Sequence, residues 1–432
     1  MPDGVAPPLR LDAEGLSDFE RRVVEHVDGE ALVERLAELI AIPSTANEET
    51  PAQRLVAEHM RAIGLETDVW EIDFKTLTRH PAYTVDIDRR DGLGVVGTLR
   101  GGDGPTLILN GHVDVVPAGA LALWTRPPFE LTREGDRLFG RGVVDMKGQL
   151  CAAIAAAAAI RAAGAELAGS LQIQSVIGEE DGGAGTLATI DRGHTGDAAI
   201  VVEPTAFTLA PAQAGALSFR IRVRGKAAHG ALRAEGVDPV EKFIPIFRAL
   251  RDLEARRNTV VTEPMFAGQE LPFALTMGRV EAGIWPSTVA EFLYAEGRYG
   301  VAPGEDAAAA RAELEDAVAT AAADDAWLRE HPPGVAWTGA QFEAARIAPD
   351  HPIVSTLSGA AHAVTGSPPP LAGVPFGADM RLLVNQGGIP TVLFGPGDVR
   401  EAHRPDESVA LSDLVRAAEI LAVTALRFSG VA

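Results

Sequence analysis

Hydrophobic and polar residues follow one another along the chain in a pattern that predicts strands interleaved with helices. Apolar residues recur at helical spacing over residues 28–42 and 50–65. The pattern then predicts a strand at 105–110, a helix at 146–164, a strand at 171–177, a helix at 183–192 and a strand at 198–202. Such alternation favours an α/β sheet with helices on both faces.

The pattern changes near residue 211. It continues with a strand at 216–224, a helix at 239–255, strands at 273–281 and 289–299, a helix at 305–323 and a strand at 335–338. This β-α-β-β-α-β order is typical of a ferredoxin-like fold. The first style returns with a helix at 353–364, a strand at 391–394 and a helix at 411–428. We therefore predict an α/β domain with a mostly parallel sheet, formed by residues 1–210 and 346–432, and an inserted ferredoxin-like α+β domain at 211–345.

Charge and composition exclude several classes of partner. Among 432 residues, 60 are acidic and 38 basic, which gives a net charge of −22. Such a surface repels phosphate backbones and anionic lipid, so we expect neither nucleic acid nor membrane as a partner. Residues 1–16 lack the apolar core of a secretory signal, and no apolar run reaches the ~20 residues that span a bilayer. Cys151 is the only cysteine, which excludes an internal disulfide and a thiol-rich metal site. We expect a cytoplasmic protein.

Acidic and imidazole side chains collect where the predicted strands end. In open α/β sheets, ligands bind outside the carboxyl ends of the strands, so side chains from distant segments meet there. The residues at five such ends are His112 with Asp114, Asp145, Glu179 with Glu180, Glu203, and His403. This set is what a single metal site assembled from separate segments requires.

The residue types indicate the metal and its number. Imidazole nitrogen and carboxylate oxygen without thiolate favour Zn²⁺, with Co²⁺ or Mn²⁺ as alternatives. Two divalent ions sharing Asp145 bring four positive charges, of which Asp145, Glu180 and Glu203 cancel three. A bridging hydroxide cancels the fourth. Charge balance therefore predicts two metal ions.

Local spacing predicts the supporting roles. In an extended segment, side chains two residues apart face the same way, so Asp114 is expected to hydrogen-bond the imidazole of His112 and fix its tautomer. Glu179 and Glu180 are adjacent and diverge, so one can bind metal while the other accepts a proton from water. Taken singly, each motif also fits an ordinary turn or core hydrogen bond. A dinucleotide fingerprint beginning at Gly140 is excluded because Asp145 stands at its third glycine position.

Together these motifs resemble the dinuclear zinc amidohydrolases that include acetylornithine deacetylase, succinyl-diaminopimelate desuccinylase, aminoacylase and carboxypeptidase G. The resemblance extends over residues 32–426. It rests on His112 and Asp114, Trp124 with Pro128 and Phe129, residues 140–148, 178–183 and 203–205, and Ala402 with His403.

The resemblance implies a role for each candidate residue. The implied metal ligands are His112, Asp145 as the bridge, Glu180, Glu203 and His403. Glu179 would be the general base. The α/β domain would be catalytic and the inserted domain would serve as lid and dimerisation domain. Residues 225–230 would carry His229 into the active site of the neighbouring subunit to stabilise the oxyanion. Arg298 and Arg381 would bind a substrate carboxylate, or else form exposed salt bridges.

The expected activity is hydrolysis of the amide bond of an N-acyl amino acid by a homodimer, through a metal-bridging hydroxide activated by Glu179. A metallo-carboxypeptidase or dipeptidase on the same scaffold is the alternative within enzymes, and a catalytically inactive binding protein is the alternative outside them. Residues 285–290 and 377–378 depart from the family pattern on surfaces that contact substrate. These departures leave the identity of the substrate undecided, but they do not change the expected reaction type.

Overall fold

The structure is a computed structural model that describes residues 15–85, 87–259 and 261–432. Residues 1–14 lie outside the described residues. They make up most of the segment 1–16, for which the sequence predicts that it is not a secretory signal. The described helices are α1 (Asp18–Glu25), α2 (Gly29–Ile40), α3 (Thr50–Ala62), α4 (Phe74–Leu77), α5 (Lys147–Ala162), α6 (Ala184–Asp191), α7 (Pro239–Thr259), α8 (Ala307–Ala323), α9 (Ala326–Glu330), α10 (Pro352–Thr365), α11 (Met380–Asn385) and α12 (Leu411–Ser429). The described strands are β1 (Glu66–Glu71), β2 (Leu93–Leu99), β3 (Thr106–His112), β4 (Thr132–Glu134), β5 (Arg137–Phe139), β6 (Ser170–Val176), β7 (Ala198–Val201), β8 (Ala212–Gln213), β9 (Gly215–Arg224), β10 (Ala228–His229), β11 (Leu275–Ala282), β12 (Thr288–Val289), β13 (Phe292–Val301), β14 (Gly334–Phe342), β15 (Ala345–Arg346), β16 (Thr391–Leu393) and β17 (Ser408–Ala410).

A six-stranded, mostly parallel sheet forms the centre of the larger unit. Its strand order is β1-β2-β6-β3-β7-β16, and the four strands from β6 to β16 are parallel neighbours. β1 and β2 add an antiparallel edge that the hydrophobic pattern did not predict. β1 is only partly buried and carries polar residues on both faces, so its sequence lacks a strand-like alternation. The mostly parallel sheet itself is confirmed.

The alanine-rich helix α5 fills the space between this sheet and helices α2 and α12. Its residues from Leu150 to Ala157 are all buried, and so is the free thiol of Cys151. Alanine side chains let the helix backbone approach its neighbours closely, so this low-complexity run is a packed core element. Within the described part of the chain, no helix is long and apolar enough to cross a membrane.

The inserted unit is a four-stranded antiparallel sheet covered by α7 and α8. The strand order β11-β13-β9-β14 and the β-α-β-β-α-β sequence of elements confirm the ferredoxin-like arrangement. Along β9, buried and exposed residues alternate, because one face packs under the helices and the other meets solvent. This unit has an apolar core of its own, which includes Phe219, Leu250 and Leu314. The boundaries at 211 and 345 stay predictions.

One strand that precedes a candidate ligand lies outside the central sheet. β5, which precedes Asp145, pairs with β4 and β17 in a separate three-stranded sheet. Asp145 therefore enters the site from the loop that leads into α5, and the expectation that it follows a strand of the main sheet is wrong. The pairing of β5 with β17 also holds this loop beside the segment that carries His403.

Candidate active site

The carboxyl edge of the central sheet gathers most of the candidate ligands. His112 is the last residue of β3, Glu179 and Glu180 follow β6, Glu203 follows β7, and His403 lies beyond β16. Because β6, β3, β7 and β16 are parallel neighbours, these chain segments emerge at the same edge. Asp145 reaches the same point from the loop before α5, and its peptide bond to Met146 is cis.

Asp145 lies between two imidazoles and presents one carboxylate oxygen to each. Its Oδ1 is 3.1 Å from Nε2 of His112, and its Oδ2 is 3.1 Å from Nε2 of His403. Oε1 of Glu180 is 2.9 Å from the same nitrogen of His403. Two groups of potential ligand atoms, each within 4.8 Å of one another, share Asp145; they are His112, Asp145 and Glu203, and Asp145, Glu180 and His403. The structure thus brings all five predicted ligands together.

The ring of His112 is oriented by main chain and not by the side chain predicted to do so. Its Nδ1 donates a hydrogen bond of 2.9 Å to the backbone carbonyl of Asp114, whereas Oδ1 of Asp114 lies 3.6 Å away, too far for a hydrogen bond. The Asp114 side chain instead accepts from the backbone N–H of Glu180 at 3.1 Å. The predicted hydrogen bond is therefore wrong, but the tautomer is still fixed, with Nε2 of His112 facing Asp145.

Electrostatics at the site are those of crowded carboxylates. Burial, together with the neighbouring Asp145, raises the pKa of Glu180 to about 7 and that of Glu203 well above its usual range. Hydrogen bonds to Asp145 and Glu180 raise the pKa of His403 to about 10. Burial opposes ionisation of Asp145, yet its hydrogen bonds to His112 and His403 hold its pKa below the usual value. Divalent cations would relieve this repulsion, and nitrogen and oxygen donors without sulfur suit zinc, cobalt or manganese. The residues fit a dinuclear site.

Glu179 stands beside these groups but belongs to neither. It is buried, and its Oε2 lies 4.0 Å from Nε2 of His112. Burial and the nearby charge of Glu203 raise the pKa of Glu179 well above its usual value. A carboxylate with a raised pKa next to a metal site is suited to accept and return a proton.

Two buried arginine clusters support the ligand loops, and the sequence interpretation did not include them. Arg89 pairs with Glu49 at 2.8 Å and with Asp181, the residue after Glu180. Arg141 pairs with Glu407 at 2.6 Å. The second pair had a signal in the sequence, because Arg141 lies within the recognised segment 140–148 and Glu407 only four residues after His403. The Arg89 cluster had no such signal in the sequence, because the loop that carries Arg89 follows no recognised motif.

The remaining predicted residues lie apart from the ligand cluster or are differently engaged. His229 is exposed in β10, and its Nδ1 accepts a hydrogen bond from the backbone of Ala231; none of its hydrogen bonds or ion pairs in the described chain involves a predicted ligand. Arg298 in β13 donates to the carbonyl of Pro375 at 2.8 Å.

Arg381 is only 1% exposed and donates to the carbonyl of Gly182 at 2.8 Å. The guanidinium carbon of Arg381 also lies over the aromatic ring of Phe342, 5.1 Å from the centre of that ring, and Phe342 belongs to the inserted unit. The alternative of an exposed salt bridge is therefore wrong for Arg381.

Sequence comparison places this arrangement in a family. The sequence pattern described as "Peptidase family M20/M25/M40" matches residues 108–427, a span that contains all five predicted ligands and Glu179. The chain belongs to this family. Its M20 relatives are hydrolases of amide bonds, and the chain is a metal-dependent amidohydrolase.

Two relatives match the M20 chain over nearly its full length. The N-formyl-4-amino-5-aminomethyl-2-methylpyrimidine deformylase of Bacillus subtilis (strain 168) is 30% identical over 432 residues, covering 93% of this chain and 95% of the relative. The deformylase of the same name from Halalkalibacterium halodurans is 29% identical over 429 residues, covering 92% and 96%. A probable succinyl-diaminopimelate desuccinylase of Staphylococcus aureus is 32% identical over 174 residues, which cover only 38% and 43%.

Solved structures share the fold of this M20 chain at low sequence identity. A di-peptidase of Saccharomyces cerevisiae has a TM-score of 0.77 at 16% identity, covering 96% of this chain and 99% of that one. A protein of Bacillus subtilis described as a dinuclear metal binding peptidase has a TM-score of 0.62 at 17% identity, covering 92% and 97%. The M20 fold, with its sheet and inserted unit, is therefore the fold of this chain.

Proposed function

We propose that this enzyme removes the acyl group from a small N-acylated compound, using two divalent metal ions held by His112, Asp145, Glu180, Glu203 and His403. The observation that carries the proposal is the sharing of Asp145 by two groups of ligand atoms. Zn²⁺ is the proposed metal, with Co²⁺ or Mn²⁺ as alternatives, because the donors are imidazole nitrogen and carboxylate oxygen. When bound, the two ions supply Lewis-acid polarisation of the amide carbonyl and lower the pKa of water.

Glu179 is the proposed general base. It accepts one proton from water as the water oxygen bonds to the carbonyl carbon, and it returns that proton to the nitrogen as the C–N bond breaks. Its burial and its place outside both ligand groups support this role. A binding protein without catalysis would have no use for a spare buried carboxylate beside Glu180, so the catalytically inactive alternative is disfavoured.

Asp114 is proposed to hold two of the metal ligands, His112 and Glu180, in position. Its backbone carbonyl orients His112 and its side chain holds the main chain of Glu180, so one residue sets a ligand in each group. Such outer contacts tune metal ligands even though they do not touch the substrate.

His229 is proposed to act in trans in a homodimer, where it would stabilise the oxyanion in the partner's site. It is exposed, and its strand β10 pairs with β12. The turn before β12 carries Ile284, which is 101% exposed, and Trp285, which is 67% exposed. Exposed apolar side chains beside an exposed candidate catalytic histidine support a subunit contact through the inserted unit, which we propose to be the lid and dimerisation domain.

Two substrate classes are supported by different observations. Arg298 is only partly buried and could bind the carboxylate of an N-acyl amino acid, which is the substrate class that we predicted. The relatives of near full length are named as deformylases of an N-formylated aminopyrimidine, and the name of that compound includes no carboxylate. The structural neighbours described as a di-peptidase and as a dinuclear metal binding peptidase keep the peptidase alternative open.

A substrate panel tests the proposal. The zinc- and cobalt-loaded enzyme is offered N-formyl-4-amino-5-aminomethyl-2-methylpyrimidine, N-formyl, N-acetyl and N-succinyl amino acids, and dipeptides. We expect the enzyme to hydrolyse at least one of the N-acyl compounds faster than it hydrolyses the dipeptides. Preference for dipeptides would favour the peptidase function over the deacylase function, and no turnover with full metal content would contradict both.

We propose that this enzyme acts in the cytoplasm, with which its single buried thiol is compatible.

A further inference from the structure

One buried carboxylate, that of Glu407, holds the loop that delivers Asp145. Its Oε1 accepts hydrogen bonds from the backbone N–H groups of Gly142 at 3.0 Å, Val144 at 2.8 Å and Asp145 at 3.1 Å. Its Oε2 accepts from Nη1 of Arg141 at 2.6 Å. The residue is fully buried. A single side chain thus binds the main chain on both sides of Val143 and at Asp145 itself.

The same residue links this loop to the segment that carries His403. The carbonyl of Glu407 accepts from the N–H of Gly140 at 3.1 Å, and the next residue, Ser408, pairs with Phe139. His403 and Asp406 have positive φ angles of 60° and 54°. Residues other than glycine adopt such angles when surrounding contacts hold them there. The segment from His403 to Glu407 is therefore held in a defined shape against the Asp145 loop.

An ion pair made only for stability would need fewer partners than Glu407 has. Pairing with Arg141 would already compensate the buried charge, and it uses the other oxygen. The three N–H groups that converge on Oε1 form a nest around an anion, which fixes backbone direction as well as charge. Since Asp145 faces two imidazoles through two oxygens, a small rotation of its backbone would move both contacts at once.

We propose that Glu407 is a positioning residue for the metal centre: it sets the backbone of Asp145 so that both carboxylate oxygens point to the two ligand groups. Within the described chain, the hydrogen bonds of the Glu407 side chain go to Arg141 and to backbone N–H groups and not to a ligand atom, so Glu407 acts through the backbone of Asp145. This inference rests on the proposed metal centre and adds to it a residue that joins the Asp145 loop to the segment that carries His403.

The test uses the full-length enzyme and Co²⁺ as the probe. The variant Glu407→Gln keeps the shape of the side chain but replaces the anion, so its hold on the three N–H groups weakens. We expect Co²⁺ affinity, measured by chelator competition, to fall about 10- to 100-fold, because the loss of a contact that orients a metal ligand typically weakens metal binding by that factor. The absorption bands of bound Co²⁺ should change, and kcat should fall while KM stays within about twofold.

A matched variant separates positioning from stability. Glu20→Gln breaks a comparable carboxylate–arginine contact, that of Glu20 with Arg427 at 2.6 Å, which involves no candidate ligand. This variant is expected to keep the Co²⁺ spectrum and affinity of the unmodified enzyme, even if its melting temperature falls.

The outcomes distinguish this inference from the proposed function. If the unmodified enzyme binds Co²⁺ and Glu407→Gln loses only thermal stability, with affinity and spectrum unchanged, the positioning role is overturned and the metal centre stands. If the unmodified enzyme binds no divalent metal, the proposed centre itself fails and the role of Glu407 fails with it. Should Glu407→Gln not fold, Glu407→Asp, which keeps the charge but withdraws the oxygens from the loop, is measured against the same expectations.

Discussion

The carboxylate of Asp145 and the imidazole of His403 lie 3.1 Å apart, from Oδ2 to Nε2. The other oxygen of Asp145 is left to face His112 at the same distance. One short side chain therefore serves two groups of ligand atoms, and the two proposed ions cannot be treated as independent sites. The consequences of this sharing can be measured.

Replacing Asp145 should remove more than one ligand. In Asp145→Asn, both ligand groups lose the negative charge that they share, so bound metal should fall from two ions per chain to one or none. Metal analysis of the purified protein measures this. Asp136→Asn, which alters an exposed aspartate bonded to Ser412, is the control and should keep its metal. Retention of two ions by Asp145→Asn would contradict the shared-ligand geometry.

Replacing Glu179 should separate binding from turnover. Glu179 lies in neither ligand group, so Glu179→Gln is expected to keep its metal content while kcat falls by about 10²- to 10⁴-fold or more. Metal analysis and steady-state kinetics on the same preparation measure both quantities. Glu401→Gln, near His403 but without a proposed role, should retain activity. Near-normal turnover in Glu179→Gln would remove Glu179 from the role of base.

Metal affinity should fall as the pH is lowered. Metal ions bind deprotonated ligands, and hydrogen bonds to Asp145 and Glu180 raise the pKa of His403 to about 10. Burial raises the pKa of Glu180 to about 7. Protons therefore compete with the metal, and their competition grows as the pH falls through these values. Between pH 8 and pH 6 we expect about tenfold weaker binding per pH unit for each proton displaced. Chelator competition at several pH values checks this, and pH-independent affinity would contradict it.

The two arginines should behave differently when changed to methionine. Arg381 is buried and bonded to the carbonyl of Gly182, so Arg381→Met should lower the free energy of unfolding by about 1–3 kcal/mol. Arg298 is only partly buried, so Arg298→Met should raise KM for an N-acyl amino acid about tenfold or more. Denaturant unfolding and kinetics on both variants measure these effects. An unchanged KM in Arg298→Met, with turnover of the formylated aminopyrimidine intact, would favour the carboxylate-free substrate.

Most helices and strands of the two units were predictable because their signals are local. The strands at β3, β6, β7 and β9 and the helices α5, α7 and α12 carry continuous or periodic apolar patterns. β1 was missed because it is an edge strand with little buried surface. Asp145 was expected to follow a strand of the main sheet, but the strand before it, β5, has only three residues, which carry no information about the strand they pair with.

The sequence by itself determined the chemistry of this protein: the donor types, the spare glutamate next to Glu180, and the order of segments that the parallel sheet brings to one edge. Tertiary structure alone decided how those groups are held. It placed the backbone carbonyl of Asp114, instead of its carboxylate, against His112, buried Arg381, and enclosed Glu407 beneath the Asp145 loop. The physical reason is that residue type and periodicity are local properties, whereas burial and hydrogen-bond partners depend on segments that meet only when the chain is folded.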